Sequence, residues 1–431
     1  MNEYDSDRIF DLAKKINYQK TEKLEEADCY VLNTCHIREK ATEKVYHDIG
    51  RVKKKFRNKK KPIIIVAGCV AQAEGDVLLK KEKYIDALVG PQSYHQLNEI
   101  ISKIEKDFGR INFTEFEVIE KFDSLNVVES SKNNISAYLT IQEGCDKFCK
   151  FCVVPYTRGA EFSRSINEIV SECKHLVDSG SREITLLGQN VNAYSFKGKK
   201  LSNLINEISK IKDLKRIRYT TSHPIDFSND LIEIYKNSEK LMPLIHLPVQ
   251  SGSDKILQSM NRKHTIKDYL NLIYKLKKTN PAIKFSSDFI IGYPGETDGD
   301  FNDTLTLLKE VGFINSYSFI FSPRPGTPAA KMKLVDNKLA KERLLVFQKK
   351  ANEIKINYRK SLYNKKVCVL FENQTKNKNK FFGRDEYLNS VIVDSSYDLK
   401  GKIKETIISK ANQNTLFGEI YQKKMNNIFA A

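Results

Sequence analysis

GCDKFCKFCVVPYTRG, residues 144–159, sets Cys145, Cys149 and Cys152 at C-x3-C-x2-C spacing and supplies no fourth cysteine. Three thiols so close along the chain can converge on one metal site. Structural zinc asks for four protein ligands. The nearest further candidates, Cys173 and His175, fall in the following helical pattern and are not spaced to join the loop; Cys173 reads as a buried helix residue. A cubane [4Fe–4S] cluster held by three thiolates leaves one iron open to a small molecule, the arrangement in which a cluster performs chemistry rather than only carrying electrons.

Outward from the loop, apolar runs bounded by polar segments recur at 137–141, 184–187, 217–220, 244–247, 285–290 and 316–320, with helical spacing between them. Strands alternating with helices predict a full or partial (β/α) barrel, whose chemistry gathers at the carboxyl ends of its strands. The motifs obey that rule: the cysteines follow the first strand, Gly188-Gln189-Asn190 the second and Ser222-His223-Pro224 the third. Residues 331–360 are charged and helical and close this region.

Residues 1–120 carry a second α/β pattern. A helix over 7–15 precedes strands at 29–32, 63–67 and 87–89, the βαβ signature of a parallel sheet. Cys35 and Cys69 each lie just past a strand, so both could face one crevice, or each could be a small buried apolar residue. Such a domain ordinarily opens on a strand, yet this chain opens on a helix, and a strand ending level with the two cysteines is expected but not found. Residues 120–136 are polar and read as a linker. Beyond 360, short strands at 367–371, 390–393 and 401–403 with Lys/Asn-rich turns predict a small OB-like β-barrel. Phe381 and Phe382, read in its basic loops beside Arg384, suit either a nucleic-acid surface or a small core.

Composition narrows the class. The longest apolar run, residues 62–68, is far too short to span a bilayer, and MNEYDSDRIF at the start is not a secretory leader. A cytoplasmic location follows, where clustered thiols read as metal ligands rather than disulfides. The formal net charge of +18 suits a polyanion such as RNA, although a Lys-rich solvated surface explains it equally well.

The thiol loop, on the first strand of such a barrel, resembles that of the radical S-adenosylmethionine (SAM) enzymes. Residues 142–164 (QEGCDKFCKFCVVPYTRGAEFSR), 187–194 (LGQNVNAY), 221–227 (TSHPIDF), 246–254 (HLPVQSGSD), 33–46 (NTCHIREKATEKVY) and 288–297 (DFIIGYPGET) resemble the tRNA methylthiotransferases over nearly the whole chain. LLGQNVNAY with CVVPYTRG is similar to the MiaB-type subgroup, which modifies N6-isopentenyladenosine beside the anticodon. Relatives acting on ribosomal protein S12 or on threonylcarbamoyl-adenosine tRNA differ in that segment.

The resemblance implies three units: an α/β domain over 1–120, a partial radical SAM barrel over 132–358 and a TRAM-like RNA-binding β-barrel over 360–424. It implies two [4Fe–4S] clusters. Cys145, Cys149 and Cys152 would hold the one that binds and cleaves SAM, and the resulting 5′-deoxyadenosyl radical would take the C2 hydrogen of the adenine. Cys35 and Cys69 match two ligands of the auxiliary, sulfur-donating cluster. The third, in a Gly-Cys-Gln immediately before residues 1–7, is expected to be missing from this chain, and Cys29, inside a strand, is a poor substitute. Gln189 and Asn190 match SAM contacts, with Gln250 and Asp288 as weaker candidates at other strand ends. Arg158 and Arg164 either anchor RNA phosphate or pair with carboxylates. An electron donor such as flavodoxin or ferredoxin, isopentenylated tRNA as partner and a monomeric state complete the expectation. Two readings compete with it: a methylthiotransferase for another tRNA base or for S12, and a non-catalytic RNA-binding protein with a structural metal.

Overall fold

The computed structural model describes residues 1–35, 40–114, 134–377 and 379–422. The run IIIVA at 63–67 is apolar on both sides of the pleat, as a strand covered on two faces must be. It forms β2 (Ile63–Gly68) of a parallel sheet ordered β1 (Cys29–Thr34), β2, β3 (Ala87–Val89), β4 (Ile111–Phe113). Ile64 and Val66 pack on Val45, Ile49 and Val52 of α2 (Lys40–Lys55) and on Leu78 of α3 (Cys69–Lys81). Ile65 and Ala67 face the other way, onto Ile9 and Leu12 of α1 (Asn2–Lys15) and Leu97, Ile100 and Ile101 of α4 (Leu97–Glu105). The sheet is thus sandwiched between two helix pairs. The expected linker lies almost wholly outside the described residues.

All six strand positions expected for the central region are occupied: β5 (Ser136–Thr140), β6 (Glu183–Leu187), β7 (Arg216–Tyr219), β8 (Leu244–His246), β9 (Lys284–Ile291) and β10 (Asn315–Ile320). They run parallel in chain order as two three-stranded sheets, bridged by Ile217 and Leu241; β5 and β10 are not paired, so the barrel is partial. α5 (Ile166–Asp178), α6 (Leu201–Ser209), α7 (Asn229–Asn237), α8 (Ile266–Thr279) and α9 (Asp298–Val311) separate the strands. Ser165, Thr265 and Thr297 cap three of these helices with side-chain oxygens, which satisfies amide groups the first turn leaves free. α10 (Asn337–Lys360) follows β10, and its Phe347 packs 4.7 Å from Phe289 of β9, ring centre to ring centre.

The C-terminal residues form a closed five-stranded barrel, β11 (Lys366–Gln374), β12 (Lys380–Arg384), β13 (Ser390–Asp394), β14 (Ile403–Ala411) and β15 (Thr415–Ile420), ordered β11-β12-β13-β15-β14. One expectation needs correction here. Phe381 and Phe382 belong to β12 and not to a loop, so strand alternation sends them to opposite faces. Phe381 is buried in the small core, whereas Phe382 is half-buried under the Arg384 guanidinium, 5.4 Å from the ring centre. The barrel docks at the amino end of β7. Arg216 donates to the carbonyls of Arg384 (2.8 Å) and Cys368 (2.7 Å), and Arg218 to those of Glu386 (2.7 Å) and Asp385 (3.0 Å).

Candidate active site

The thiol loop is held by contacts that depend on backbone geometry. Gly144 opens it at φ +76, and a Cβ there would lie 1.9 Å from the carbonyl oxygen of Ala160. Glycine alone fits that approach. Cys145 N donates to Gly159 O at 3.2 Å, closing the loop on itself, and Lys150 N donates to Met260 O at 3.0 Å, tying it to the far side of the barrel. Cys149 is buried, with Arg262 Nη1 3.6 Å from its sulfur. Burial pushes the Cys145 thiol up to about 12 and that of Cys152 up to about 11; backbone amides, and for Cys152 the Arg262 charge, act in the opposite direction. Protons therefore leave these thiols when a metal takes their place.

The loops after β5, β6 and β7 meet over Gln142. Its Nε2 donates to Gly144 O at 2.8 Å, and its Oε1 accepts from the amides of Gln189 (3.0 Å) and Asn190 (3.1 Å). Gln189 Oε1 accepts from Gly144 N at 2.7 Å. Asn190 is buried, donates to Asp226 (2.7 Å) and Glu161 (3.1 Å), and leaves its own Oδ1 without a partner. Lys147 of the thiol loop reaches Asp226 at 2.8 Å. His223 is buried with Nε2 unpartnered, and burial, then the neighbouring Arg262, His264 and Lys147, hold it neutral far below the usual imidazole range. Gln250, four residues past β8, adopts φ +78, a conformation unusual for a side-chain-bearing residue, and its backbone pairs with Asp288 and Ile290 of β9. Asp288 stands inside β9 instead of at its end. It lies 3.4 Å from His246 and lines a polar cavity of about 960 Å³ shared with the C-terminal barrel, together with Tyr138, Arg218, Tyr317, Glu372 and Arg384. Gln142, Asp226 and Arg262 were not singled out from sequence, although Gln142 and Asp226 sit within motifs that were quoted.

The second pair of thiols is brought to the same crevice. Thr34 pairs with Gly68 across β1 and β2, so Cys35 and Cys69 leave neighbouring strand ends side by side. Gly68, at φ +92, permits this: a Cβ there would come 2.3 Å from Thr34 O. α3, which begins at Cys69, packs on the short helix Val154–Arg158 that follows the thiol loop, so the sheet edge and the loop are neighbours. Cys29 is at the opposite end of β1, and Cys173 is buried in the barrel's core. Arg158 and Arg164 resolve in favour of carboxylates. Arg158 binds Asp5 at 2.7 Å, and Arg164 binds Glu172 at 2.8 Å; Glu172 also receives Arg8 of α1 at 2.7 Å, with all five side chains buried.

Among the described residues, no three His, Cys, Asp or Glu side chains close on a point that a single metal ion would occupy. The donor set is instead the three thiols of one short loop, and the loops beside it carry buried polar atoms without partners: Asn190 Oδ1, Ser222 Oγ, His223 Nε2 and Arg262 Nε. Soft thiolates beside unsatisfied hydrogen-bonding groups fit an iron–sulfur cluster with a polar small molecule bound at it.

The partial barrel with its thiol loop is that of a radical SAM enzyme. Residues 139–308 match the Radical SAM superfamily, and residues 1–90 match the Uncharacterized protein family UPF0004. The same architecture is seen in the radical S-adenosylmethionine methyltransferase TsrM from Kitasatospora setae, at a TM-score of 0.58 and 13% identity, covering 76% of this chain and 71% of that one. A tRNA-2-methylthio-N(6)-dimethylallyladenosine synthase of Pelagibacter ubique (strain HTCC1062) is 58% identical over 432 residues, 99% of this chain and 97% of the relative. One from Rickettsia canadensis (strain McKiel) is 46% identical, covering 98% and 97%. The chain belongs to the tRNA-2-methylthio-N(6)-dimethylallyladenosine synthase family, within the radical SAM methylthiotransferases.

Proposed function

We infer that this chain methylthiolates C2 of N6-isopentenyladenosine next to the anticodon of tRNA. The observation that carries the reading is the packing of α3, which begins at Cys69, on the short helix that follows Cys152, so that thiol-bearing segments of two domains are neighbours. Sulfur insertion at an unactivated C–H position needs a hydrogen-abstracting centre and a sulfur source within reach of the same atom. Cys145, Cys149 and Cys152 would hold a SAM-binding [4Fe–4S] cluster able to supply the radical, and Cys35 and Cys69, with a further ligand, would hold an auxiliary cluster able to supply sulfur.

The protein's own groups do the positioning. Gln189 and Asn190 hold SAM at the end of β6, and the strained Gln250 backbone presents a further contact. Asp288 stands beside His246, 3.4 Å away. Arg262 places its charge beside Cys149. The division of labour follows the three units: 1–120 for sulfur, 132–358 for the radical and 360–424 for RNA, where Phe382 under Arg384 offers a stacking face. The charge of +18 suits tRNA. Low-potential electrons come from a donor such as flavodoxin or ferredoxin, and the enzyme works as a cytoplasmic monomer. Among the described residues no helix is long and apolar enough to cross a membrane.

The test uses full-length, anaerobically reconstituted protein with isopentenylated tRNA, SAM and dithionite, and reads the nucleosides by mass spectrometry. The methylthio product is expected, with threonylcarbamoylated tRNA and S12 unmodified in competition. Cleavage of SAM without thiolation of the isopentenylated tRNA would sink the reading.

A further inference from the structure

The central barrel is open along one side, where β5 and β10 do not pair, and the cavity of about 960 Å³ is bordered by both strands. Tyr138 on β5 and Tyr317 on β10 stand at the two borders of this seam. They are 44% and 52% exposed although both line the cavity. Tyr317 is steadied from within: His246, between Ser286 (3.0 Å) and Asp288 (3.4 Å), packs edge-on to it at 6.0 Å, ring centre to ring centre. Aromatic faces left open to water at the mouth of a polar cavity suit a flat heteroaromatic ligand.

The charges beside the seam call for an anion. Arg218 and Arg384 line the cavity but are taken up by Glu183 and Glu372, each at 2.9 Å. Glu3 is left without a cation, and Lys400 on the same wall matches it in number. Lys355 and Arg359 remain, one turn apart on α10, which packs on β10. Among the described residues neither has a carboxylate within ion-pair distance. Arg359 is 6% exposed; its Nη1 donates to the carbonyls of Asn412 and Gln413, and its Nε has no partner. Burial and the Arg359 charge push the Lys355 ammonium below its usual range. Two unpaired cations so placed repel each other, and an anion between them relieves both.

We propose that the seam cavity is the pocket of the target nucleotide: its adenine, turned out of the stack, lies against Tyr138 and Tyr317, and its phosphodiester pairs with Lys355 and Arg359. The proposal deepens the tRNA reading given above and rests on it. The cavity runs from the C-terminal barrel, at the amino ends of the strands, up to Thr220 and His246 at the carboxyl ends of β7 and β8. A base entering by the seam therefore points toward the end of the barrel that carries the thiol loop.

The experiment uses the reconstituted full chain and a fluorescein-labelled anticodon stem-loop carrying N6-isopentenyladenosine, with binding read by anisotropy. A stem-loop identical but abasic at the target position is the second ligand. The parent should prefer the isopentenylated RNA. Tyr138→Ala and Tyr317→Ala should each weaken that RNA on the order of tenfold and leave the abasic one near the parent's affinity, whereas Tyr317→Phe keeps both. Lys355→Gln should weaken both RNAs alike and lower the slope of log Kd against log salt by about one. A tyrosine that served only the fold would weaken both RNAs together. Equal losses on the two RNAs, no loss on either, or a parent that does not distinguish them overturns the proposal; the tRNA reading stands as long as the parent forms the methylthio product. A parent that neither binds the isopentenylated stem-loop nor thiolates it overturns both. If the tyrosine variants fail to fold, Lys355→Gln decides: a slope lower by about one supports the proposal, and an unchanged slope overturns it.

Discussion

Gln142 donates to Gly144 and accepts from the Gln189 and Asn190 amides, so a single side chain joins the loops after β5 and β6. Gln142→Ala leaves two buried amides and a carbonyl without their partner, at about 1–3 kcal/mol for each group left unsatisfied. Weaker SAM binding, on the order of tenfold or more, is the expected result of equilibrium binding with reconstituted protein. Retained affinity would remove Gln142 from the site. The histidines make a second prediction. His223 is held neutral by burial and the adjacent cations, and His264 is lowered by burial to about 4, both beneath the ordinary value of 6.5. Below pH ~6.5 the unfolded chain binds protons that the folded chain refuses. Stability is therefore complete above that pH and declines as pH falls, by about 1.4 kcal/mol per pH unit for each proton. Urea melts of the cluster-free protein between pH 7.5 and 5 should show the slope, and His223→Gln should lessen it. At this scale sequence is a partial guide. The cysteines announce themselves by spacing, but Gln142 and Arg262 carry no local signal, because their partners arrive from other strands.

At the scale of elements, both thiol sets depend on a glycine that lets two backbone segments touch. Gly144→Ala would drive a Cβ into the Ala160 carbonyl, and Gly68→Ala into that of Thr34, each at positive φ. A loss of about 2 kcal/mol or more is expected for each, from strain and clash together. The two should differ in consequence. Gly144→Ala should abolish SAM cleavage, and Gly68→Ala should leave cleavage while lowering thiolation and removing up to half the iron. Iron analysis with a SAM-cleavage assay separates them; parallel losses would contradict the assignment of the two loops. Strand positions were legible in the chain because a doubly covered strand must be apolar throughout, as 63–67 is. β4 (Ile111–Phe113) leaves no such run, because its exposed Asn112 stands between two half-buried edge residues. Phe381 and Phe382 were misplaced for a related reason: in a small closed barrel one strand face is wet, and two adjacent aromatics do not say which faces in.

Across the whole molecule, the three units are joined by arginines. Arg216 and Arg218 fasten the C-terminal barrel by four bonds to backbone carbonyls. Removing either exposes buried acceptors and leaves Glu183 less compensated, at about 3–5 kcal/mol for a broken buried pair. Arg218→Ala should free the C-terminal barrel to limited proteolysis and weaken tRNA binding while SAM cleavage persists. Loss of SAM cleavage with the barrel still protected would refute that division. None of this was legible from the sequence, where buried arginines look like surface charge and a basic chain hides them among many lysines. The same concealment applies to Tyr4, Asp5 and Arg8 of α1, whose pattern showed Ile9 and Leu12 as the packing face but not the charged ladder to Glu172 and Arg158.

That ladder has a consequence for how a nucleotide gets in. Desolvated ion pairs of 2.7 Å are costly to part, so the sheet domain does not swing away to admit a helix of RNA. The adenine must then do the moving, turned out of its stack to reach the thiol loop. A fluorescent purine placed beside the target base should brighten on binding, as the stack it leans on is removed.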